Sequence, residues 1–374
     1  MLCFGHDFSG DPLSKTHIMR VLARDNRILW INSIGYRAPT ASKSDFRRAV
    51  NKLKAAAEPV REVEPNIHVL NPLAIPAYGL PWMRVVNRQL LRFQVMRAMR
   101  RLRFQRPINW VFTPTAAVVA GSLGEDTLVY YCVDEFTAFT QIARQLAELE
   151  GDLLRRADVV FVSAEKLRKS KSAANPRTFL VRHGVDFEHF RKALDPATEI
   201  PADIAKLPRP IIGYFGLMAE DWIDIPLMVD VAKHFSQGSM VLLGKVTTDI
   251  SRLTALPNVH VLGRKPFASL PGYSKGFDVA INPFPINEVT LNANPLKVRE
   301  YLAAGLPVVS SRIPEVEILG QCHIGDGAPG FIAGIEQALR DPGPKKERSE
   351  SMRGESWEGR VEEIRRHMAA IGRG

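Results

Sequence analysis

One stretch of the sequence decides the fold class: Asn294-Pro-Leu-Lys297-Val-Arg-Glu300-Tyr-Leu-Ala-Ala-Gly305-Leu-Pro307-Val-Val-Ser-Ser311. Pro295 is tolerated in a first helical turn, where N–H groups lack partners, and glycine at position 305 is the residue type that ends helices. The apolar residues after Pro307 begin a strand. The stretch therefore predicts a helix followed by a buried strand, with Lys297 and Glu300 on one helical face.

Apolar runs alternate with helical segments on both sides of this stretch. The predicted strands are 2–5, 27–32, 109–113, 127–133 and 159–163 in the first half, and 211–215, 239–243, 259–262, 279–282 and 307–310 in the second. Short apolar runs separated by helices are typical of parallel sheets that are covered on both faces. The fold class predicted is α/β, with two Rossmann-like domains.

The length of 374 residues also favours two domains, because single hydrophobic cores rarely grow this large. We expect an N-terminal domain at 1–185, a C-terminal domain at 186–350 and a final helical segment at 351–374. A polar, proline-containing stretch from 187 to 209 is the predicted linker.

Positive charge is concentrated in the first half. Residues 1–185 hold 28 Lys and Arg against 16 Asp and Glu, whereas residues 186–374 hold 22 against 24. Residues 84–106 contain eight arginines and no acid, interleaved with apolar residues, and follow the aromatic segment 76–82. This basic amphipathic helix could lie on an anionic membrane or simply face water. Nucleic acid is not an expected partner, since no motif that reads nucleic acid accompanies the helix.

No stretch is apolar enough to predict a transmembrane helix, and the N-terminus lacks the pattern of a secretory leader. The three cysteines are far apart and indicate neither a disulfide framework nor a metal site. We therefore expect a cytoplasmic protein, peripheral on the inner face of the plasma membrane.

Four motifs in order make the chain resemble a known family. They are His183-Gly-Val-Asp186, Gly213-Tyr-Phe-Gly216, Asn258-Val-His-Val-Leu-Gly263 and Pro295-Leu-Lys297-Val-Arg-Glu300-Tyr-Leu-Ala-Ala-Gly305-Leu-Pro307-Val-Val. Together they resemble the glycosyltransferases of the GT-B fold, family 4-like (group 1), of the type that builds bacterial cell-surface polysaccharides. The resemblance implies two Rossmann-like domains facing a cleft, with the donor held by the second, the acceptor by the first, and a C-terminal helix returning to the first.

A nucleotide diphosphate sugar needs cationic or N–H donors for its phosphates and a carboxylate for its ribose. Glu300 suits the ribose hydroxyls, as the resemblance also implies, and Lys297 suits the diphosphate. Asn294 and Leu296 begin the helix, where N–H groups and the helix dipole favour anions. Three further donor-site candidates follow strand ends, namely Gly216, Lys245 and Arg264.

Two positions depart from the family pattern. Where many relatives have a sugar-orienting glutamate, eight residues before Glu300, this chain has Asn292. The contact to the sugar could pass to Asn292 or to Glu288. The loop after Gly216, residues 219–224, is acidic where relatives often carry a basic residue, so Lys245, Arg264 or Lys297 must supply the phosphate charge.

In the first half, polar residues follow two predicted strands. His6, Asp7, Lys15 and His17 lie between the first strand and the first helix, where they could contact the leaving phosphate or the acceptor or simply cap the helix. Asp134 follows the strand at 127–133 and is the preferred acidic residue near the acceptor. His6 and Asp134 are accordingly catalytic candidates.

The predicted function is transfer of a sugar from a nucleotide diphosphate sugar to a lipid-linked or polysaccharide acceptor. The resemblance implies a retaining reaction, in which the departing phosphate accepts the proton. We expect no metal and no cofactor, since a lysine and a helix dipole can neutralise the leaving group. Two alternatives stay open: a nucleotide-sugar epimerase on the same fold, and a membrane-associated, non-catalytic adaptor.

Overall fold

A computed structural model of the chain describes residues 1–34, 58–75, 80–138 and 144–372. The chain forms two compact units, one of Met1–Arg182 with Val361–Gly374 and the other of His183–Arg360. Each unit is built on its own sheet, and nearly all strand pairs are parallel. The predicted α/β class with two parallel-sheet domains is confirmed. The division between the units falls after Arg182, whereas the sequence placed it after residue 185.

The first unit is built on an eight-stranded sheet with the order β3-β4-β2-β1-β5-β6-β7-β8. Its strands are β1 (Leu2–Phe4), β2 (Ile28–Ile31), β3 (Arg61–Glu64), β4 (Ile67–Leu70), β5 (Ile108–Val111), β6 (Thr127–Cys132), β7 (Val159–Val162) and β8 (Thr178–Leu180). Among the described strands of this sheet, β3 alone runs antiparallel to its neighbour, β4. The sequence analysis missed β3, β4 and β8. Three of the four residues of β3 are charged and so form no apolar run, and β4 and β8 are only four and three residues long.

Helices cover this sheet, and their apolar residues join one core with the strands. They are α1 (Ser14–Leu22), α2 (Pro81–Leu102), α3 (Arg144–Arg156) and α4 (Glu165–Lys171), with 3-10 turns at Pro114–Val118 and Phe136–Ala138. The aromatic segment predicted before α2 lies partly outside the described residues, at positions 76–79.

The basic helix predicted at 84–106 is α2. It buries Leu91, Val95 and Met99, but it leaves Trp82 and Phe93 62% and 67% exposed. Val85 and Val86 are exposed as well. They follow Trp82 by three and four residues, and Phe93 follows Val86 by seven, so the four side chains form one stripe along the helix. The helix therefore uses one apolar face for the core and presents a second one to the surroundings.

The second unit is built on a six-stranded parallel sheet with the order β11-β10-β9-β12-β13-β14. Its strands are β9 (Ile211–Phe215), β10 (Ser239–Leu243), β11 (Val259–Gly263), β12 (Val279–Asn282), β13 (Val308–Ser311) and β14 (His323–Gly325). The stretch that opened the sequence analysis forms a helix, α11 below, followed by β13, as predicted.

The helices of the second unit lie between and after these strands. They are α5 (Phe187–Phe190), α6 (Ala202–Ala205), α7 (Ile225–His234), α8 (Ser251–Thr254), α9 (Leu270–Gly276), α10 (Glu288–Leu291), α11 (Leu296–Ala303), α12 (Pro314–Leu319), α13 (Gly327–Ala338) and α14 (Lys346–Glu350), with 3-10 turns at Arg191–Leu194, Phe267–Ser269 and Arg353–Glu355. The stretch predicted as a linker is instead part of this unit. Phe187, Phe190 and Ile204 are buried in its core, which is why the segment packs despite its prolines.

The final helix, α15 (Trp357–Ala370), spans the division between the two units at Val361. In its second half, the His367 ring stacks on Phe179 with centroids 4.4 Å apart, and Arg365 donates to the Asp25 carboxylate at 2.6 Å. The end of the chain is thus attached to the first unit by a ring contact and an ion pair.

We predict that Gly213→Ala destabilises the second unit. Gly213 lies in β9, and a Cβ there would come within 2.0 Å of the Phe277 ring, so the strand or the ring must move. Overpacking of this kind costs about 1–3 kcal/mol or more. Thermal unfolding should therefore show a lower melting temperature. The matched control is Gly354→Ala, whose Cβ would meet nothing within 4 Å, and a comparable loss in that control would contradict the packing argument.

Candidate functional site

Glycines stand at the carboxyl ends of three neighbouring strands in the second unit. Gly216 follows β9, Gly244 follows β10 and Gly263 ends β11, and all three have positive φ angles. A Cβ on Gly244 would lie 1.8 Å from the Gly216 carbonyl oxygen, so the two backbones pack directly on each other. We call these residues the three-glycine edge. Open parallel sheets bind ligands at this edge, and backbone without side chains allows a ligand to approach closely.

Lys297 reaches this edge from the first turn of α11. A Cβ on Gly216 would lie 2.8 Å from its Nζ, which shows how near the ammonium lies to the glycine. The Nζ donates to the Tyr214 hydroxyl at 2.9 Å and lies 4.4 Å and 4.7 Å from the ring centroids of Tyr214 and Phe284. Burial lowers the pKa of Lys297 to about 7, and the Glu300 charge opposes this shift. A half-buried lysine therefore lies directly against the glycine backbone at this edge.

Glu300 lies one turn further along α11 and is 8% exposed. Burial raises the pKa of Glu300 to about 8, with Asp186 adding to the shift and Lys297 opposing it. In the part of the chain that the structure describes, no group donates a hydrogen bond to this carboxylate. A buried carboxylate without a donor is costly, and two ligand hydroxyls would relieve that cost.

Asn294 is held firmly at the start of α11. Its side-chain oxygen accepts a hydrogen bond from the buried guanidinium of Arg299, and its carbonyl is 2.9 Å from Nδ1 of His183. Pro295 takes the N-cap position, and Leu296 is the first helical residue. The His183 motif thus supports the turn that places Lys297.

Asn292 and Glu288 contact each other at the two ends of α10. The Asn292 amide donates to the Glu288 carbonyl at 2.7 Å and lies 3.4 Å from its carboxylate. Asn292 is buried, whereas Glu288 is exposed. Of these two candidates for the sugar contact, Glu288 presents the accessible carboxylate.

Lys245 and Arg264 follow the second and third glycines of the three-glycine edge, and both are exposed. The Lys245 carbonyl accepts a hydrogen bond from the Met218 N–H at 2.9 Å, so the loops after β9 and β10 run side by side. The acidic loop at 219–224 is anchored away from them. Its Asp221 carbonyl accepts from Asn287 at 3.1 Å, and its Asp224 caps α7.

In the first unit, three of the predicted residues interact at the carboxyl ends of β1 and β6. Burial is the largest influence on each, and it lowers the pKa of His6 to about 4, lowers the pKa of Lys15 and raises the pKa of Asp134 to about 6. The Lys15 charge adds to the shift of His6 and opposes that of Asp134. The His6 ring is held by an edge contact to Trp30, whose indole N–H donates to the His6 carbonyl at 2.9 Å.

The other candidates of the first unit lie in different surroundings. Asp7 is exposed, and its carboxylate accepts from the Ser33 N–H at 3.2 Å, whereas His17 is buried on α1. Glu135, the neighbour of Asp134, pairs with Lys171 at 2.7 Å, and Lys171 also bonds the buried Glu150. Glu135 thus belongs to a structural network, while Asp134 faces Lys15.

Sequence reasoning missed the two aromatic residues that hold Lys297, Tyr214 and Phe284. A signal for Tyr214 existed, because it lies two residues before Gly216 on an alternating strand and so shares its side of the sheet. Phe284 lies in the loop after β12 and gave no local signal. Only the tertiary structure brings the two rings to one ammonium.

The described residues hold neither a cluster of metal ligands nor a helix suited to cross a membrane. They contain no group of three or more His, Cys, Asp or Glu residues placed to hold a metal ion. No helix among them is both long and apolar enough to cross a membrane. The expectation that the reaction needs no metal stays a prediction.

We predict that Glu300→Gln stabilises the protein at alkaline pH. Between the unfolded pKa of 4.5 and the folded pKa of about 8, the folded state holds a proton that the unfolded state releases, so rising pH destabilises the fold. The substitution removes this loss. We expect equal melting temperatures near pH 4 and a gain of several kcal/mol near pH 8.5, since each pKa unit is worth about 1.4 kcal/mol. The exposed Glu347→Gln is the control, and an equal gain at both pH values would contradict the assignment.

Known proteins resemble this chain in sequence and in fold. Residues 209–341 match the family described as Glycosyl transferases group 1. TuaH of Bacillus subtilis (strain 168), named for teichuronic acid biosynthesis and as a glycosyltransferase, is 25% identical over 283 residues, which cover 68% of this chain and 69% of that protein.

Two solved structures share the fold along their whole length. Sucrose-phosphate synthase from Thermosynechococcus elongatus has a TM-score of 0.71 at 14% identity, with 99% of this chain and 98% of that chain covered. Anabaena HepE, solved in complex with UDP-glucose, has a TM-score of 0.65 at 13% identity, with 99% of each chain covered. The chain is therefore similar to glycosyltransferases: it shares the fold of these two solved structures, and its second unit carries the stretch that matches the group 1 glycosyl transferases.

Proposed function

We propose that this protein transfers a sugar from a nucleotide diphosphate sugar to a lipid-linked or polysaccharide acceptor in cell-surface polysaccharide synthesis. The relative TuaH is named for the synthesis of teichuronic acid, and the similar HepE structure contains UDP-glucose. These names support a nucleotide sugar as the donor and cell-surface polysaccharide synthesis as the process; the class of acceptor is part of the proposal. The residues of this chain supply the site.

The observation that carries the proposal is the pairing of Lys297 and Glu300 beside the three-glycine edge. Glu300 is a buried carboxylate to which no described group donates a hydrogen bond. The two hydroxyls of a ribose would supply such donors. The Lys297 ammonium lies beside Gly216, so it is placed to meet a diphosphate bound at the three-glycine edge. One site thus offers a cation for phosphate and an acceptor for a diol at the spacing of one helical turn.

In the proposed reaction, the bond between the anomeric carbon and the diphosphate breaks, and the acceptor oxygen forms the new glycosidic bond. The nucleoside diphosphate leaves, and in a retaining reaction its phosphate takes the proton of the acceptor hydroxyl. The Lys297 ammonium and the helix start at Asn294–Leu296 stabilise the charge that develops on the leaving group. We infer that this stabilisation makes a metal ion unnecessary.

For the acceptor side we propose the cluster of His6, Lys15 and Asp134. Asp134, with a pKa raised to about 6, can accept a hydrogen bond from an acceptor hydroxyl near neutral pH. Burial lowers the pKa of Lys15 beside it, and the Asp134 charge opposes that shift. Asp7 is the exposed carboxylate on the same loop and suits a more distant hydroxyl. His17 is buried, so we assign it a structural role in holding α1 in place.

Helix α2 supports a peripheral attachment to the inner face of the plasma membrane. Its exposed stripe of Trp82, Val85, Val86 and Phe93 is flanked by exposed arginines. Arg88, Arg97, Arg100 and Arg101 make no ion pair with the residues that the structure describes. Apolar side chains together with unpaired cations are what an anionic lipid surface binds, and a lipid-linked acceptor would be presented there.

The donor is tested by thermal shift with UDP-, GDP-, ADP- and dTDP-glucose. A ligand that binds only the folded state stabilises it, so we expect one nucleotide class to raise the melting temperature by several degrees. Glu300→Ala and Lys297→Ala should each lower the affinity for that donor by about tenfold or more, because each loses a charged contact. Lys233→Ala and Glu347→Ala, exposed residues of the same unit, are the matched controls.

The same assay separates the alternatives. With membrane extract as acceptor, nucleotide release that survives EDTA supports a metal-independent transferase. Turnover of the donor without any acceptor would instead indicate an epimerase, and binding without turnover an adaptor. If no nucleotide sugar binds, or if both alanine variants behave as wild type, the proposal is wrong.

The membrane role predicts binding to phosphatidylcholine vesicles only when they contain phosphatidylglycerol, with release at high salt. Replacing Trp82, Val85 and Phe93 together by serine should weaken the partition to these vesicles by about tenfold or more, since three exposed apolar side chains are lost. Ile318→Ser, which removes an exposed isoleucine of the second unit, is the control. Unchanged flotation of the triple variant would contradict this role for α2.

A further inference from the structure

The Lys297 ammonium is held mainly by groups that carry no charge. Its one hydrogen bond to a described side chain goes to the Tyr214 hydroxyl at 2.9 Å, and two aromatic faces flank it, those of Tyr214 and Phe284. The one charged group that affects it is Glu300 on its own helix, and the two form no ion pair within 4 Å. The aromatic faces stabilise a cation, but less than a carboxylate contact would.

The Tyr214 hydroxyl is fixed in one orientation. It accepts from Lys297 and donates to the Leu217 carbonyl at 2.9 Å, which lies directly after Gly216. Burial raises the pKa of Tyr214, so the side chain stays a neutral phenol. The residue therefore connects the ammonium to the glycine loop beside which a diphosphate would lie.

We propose that Tyr214 is a positioning residue for donor binding, which holds the Lys297 ammonium in its charged form beside Gly216 until a diphosphate binds. This inference rests on the proposed function of the donor site. The neutral hydroxyl accepts a hydrogen bond from the ammonium without neutralising its positive charge. A carboxylate in the same place would neutralise that charge and so compete with phosphate. The Phe284 ring, with its centroid 4.7 Å from the Nζ, adds a second aromatic contact to the ammonium.

Several groups around Lys297 decide how its protonation affects binding. Glu300 on α11 favours the charged ammonium, whereas Asp186, before α5, acts on Glu300 and favours its protonated form. Tyr214 on β9 and Phe284 after β12 are neutral. Since Glu300 and Asp186 are the same in wild type and in Tyr214→Phe, their effects cancel in the ratio of the two affinities.

The experiment measures the dissociation constants of UDP and GDP for wild type and Tyr214→Phe by calorimetry at about pH 5.5 and about pH 8.5. At the acidic pH, Lys297 is charged in both proteins, so the affinities should agree within about threefold. At the alkaline pH, binding must first protonate the lysine. That step is harder without the hydroxyl, so the variant should bind about tenfold more weakly.

Two comparisons separate positioning from general structural damage. Tyr273→Phe makes the same change at a buried tyrosine of α9, whose hydroxyl bonds Asp203 at 2.8 Å, and should give a ratio to wild type that does not depend on pH. In a Lys297→Arg background the cation stays charged at both pH values, so adding Tyr214→Phe should also give a flat ratio.

Each outcome decides the inference. An affinity loss in Tyr214→Phe that is equal at both pH values, or no loss at either, would overturn the positioning role while leaving the donor site intact. Wild-type protein that binds neither nucleotide would instead overturn the proposed donor site, and this inference with it. The inference is supported if the dissociation constant with phenylalanine at position 214, divided by that with tyrosine there, rises with pH when position 297 is lysine and stays flat when it is arginine.

Discussion

The second unit depends on a place where two backbones touch without side chains between them. Gly244 lies against the Gly216 carbonyl so closely that a Cβ would overlap the oxygen, and both residues have φ values that favour glycine. This contact sets the separation of the loops after β9 and β10. It also leaves the space beside Gly216 that Lys297 fills with its ammonium. A larger residue at either glycine would therefore disturb both the sheet edge and the cation.

The candidate site residues of both units include ionisable groups whose pKa values burial shifts toward the neutral forms. In the second unit the pKa of Lys297 is lowered and that of Glu300 is raised, and in the first unit Lys15 and Asp134 repeat the pattern. Each lysine partly compensates its acid, but neither pair forms an ion pair within 4 Å. Such sites reduce the stability of the free protein, and a ligand that supplies the missing partners would restore it.

The surface of the first unit adds a separate property. Helix α2 packs one apolar face against the core and leaves a second apolar stripe exposed among arginines. A helix that only covered the sheet would need the first face alone. This second face lies in the half of the chain that holds all of its basic excess.

The sequence by itself determined the α/β class and most of the strands, because buried parallel strands are short apolar runs that local composition reveals. It also determined the helix at 296–303 and the one-turn spacing of Lys297 and Glu300, which follow from helical periodicity. It did not determine the polar strand β3 or the packing of the segment at 187–209. Whether such residues form a strand or pack into a core depends on the parts of the fold that contact them. The aromatic pair around Lys297, the support of Asn294 by His183 and Arg299, and the meeting of His6, Lys15 and Asp134 were decided only by the tertiary structure. These contacts join residues between 5 and 128 positions apart, and no local pattern encodes which distant side chains will share one buried space.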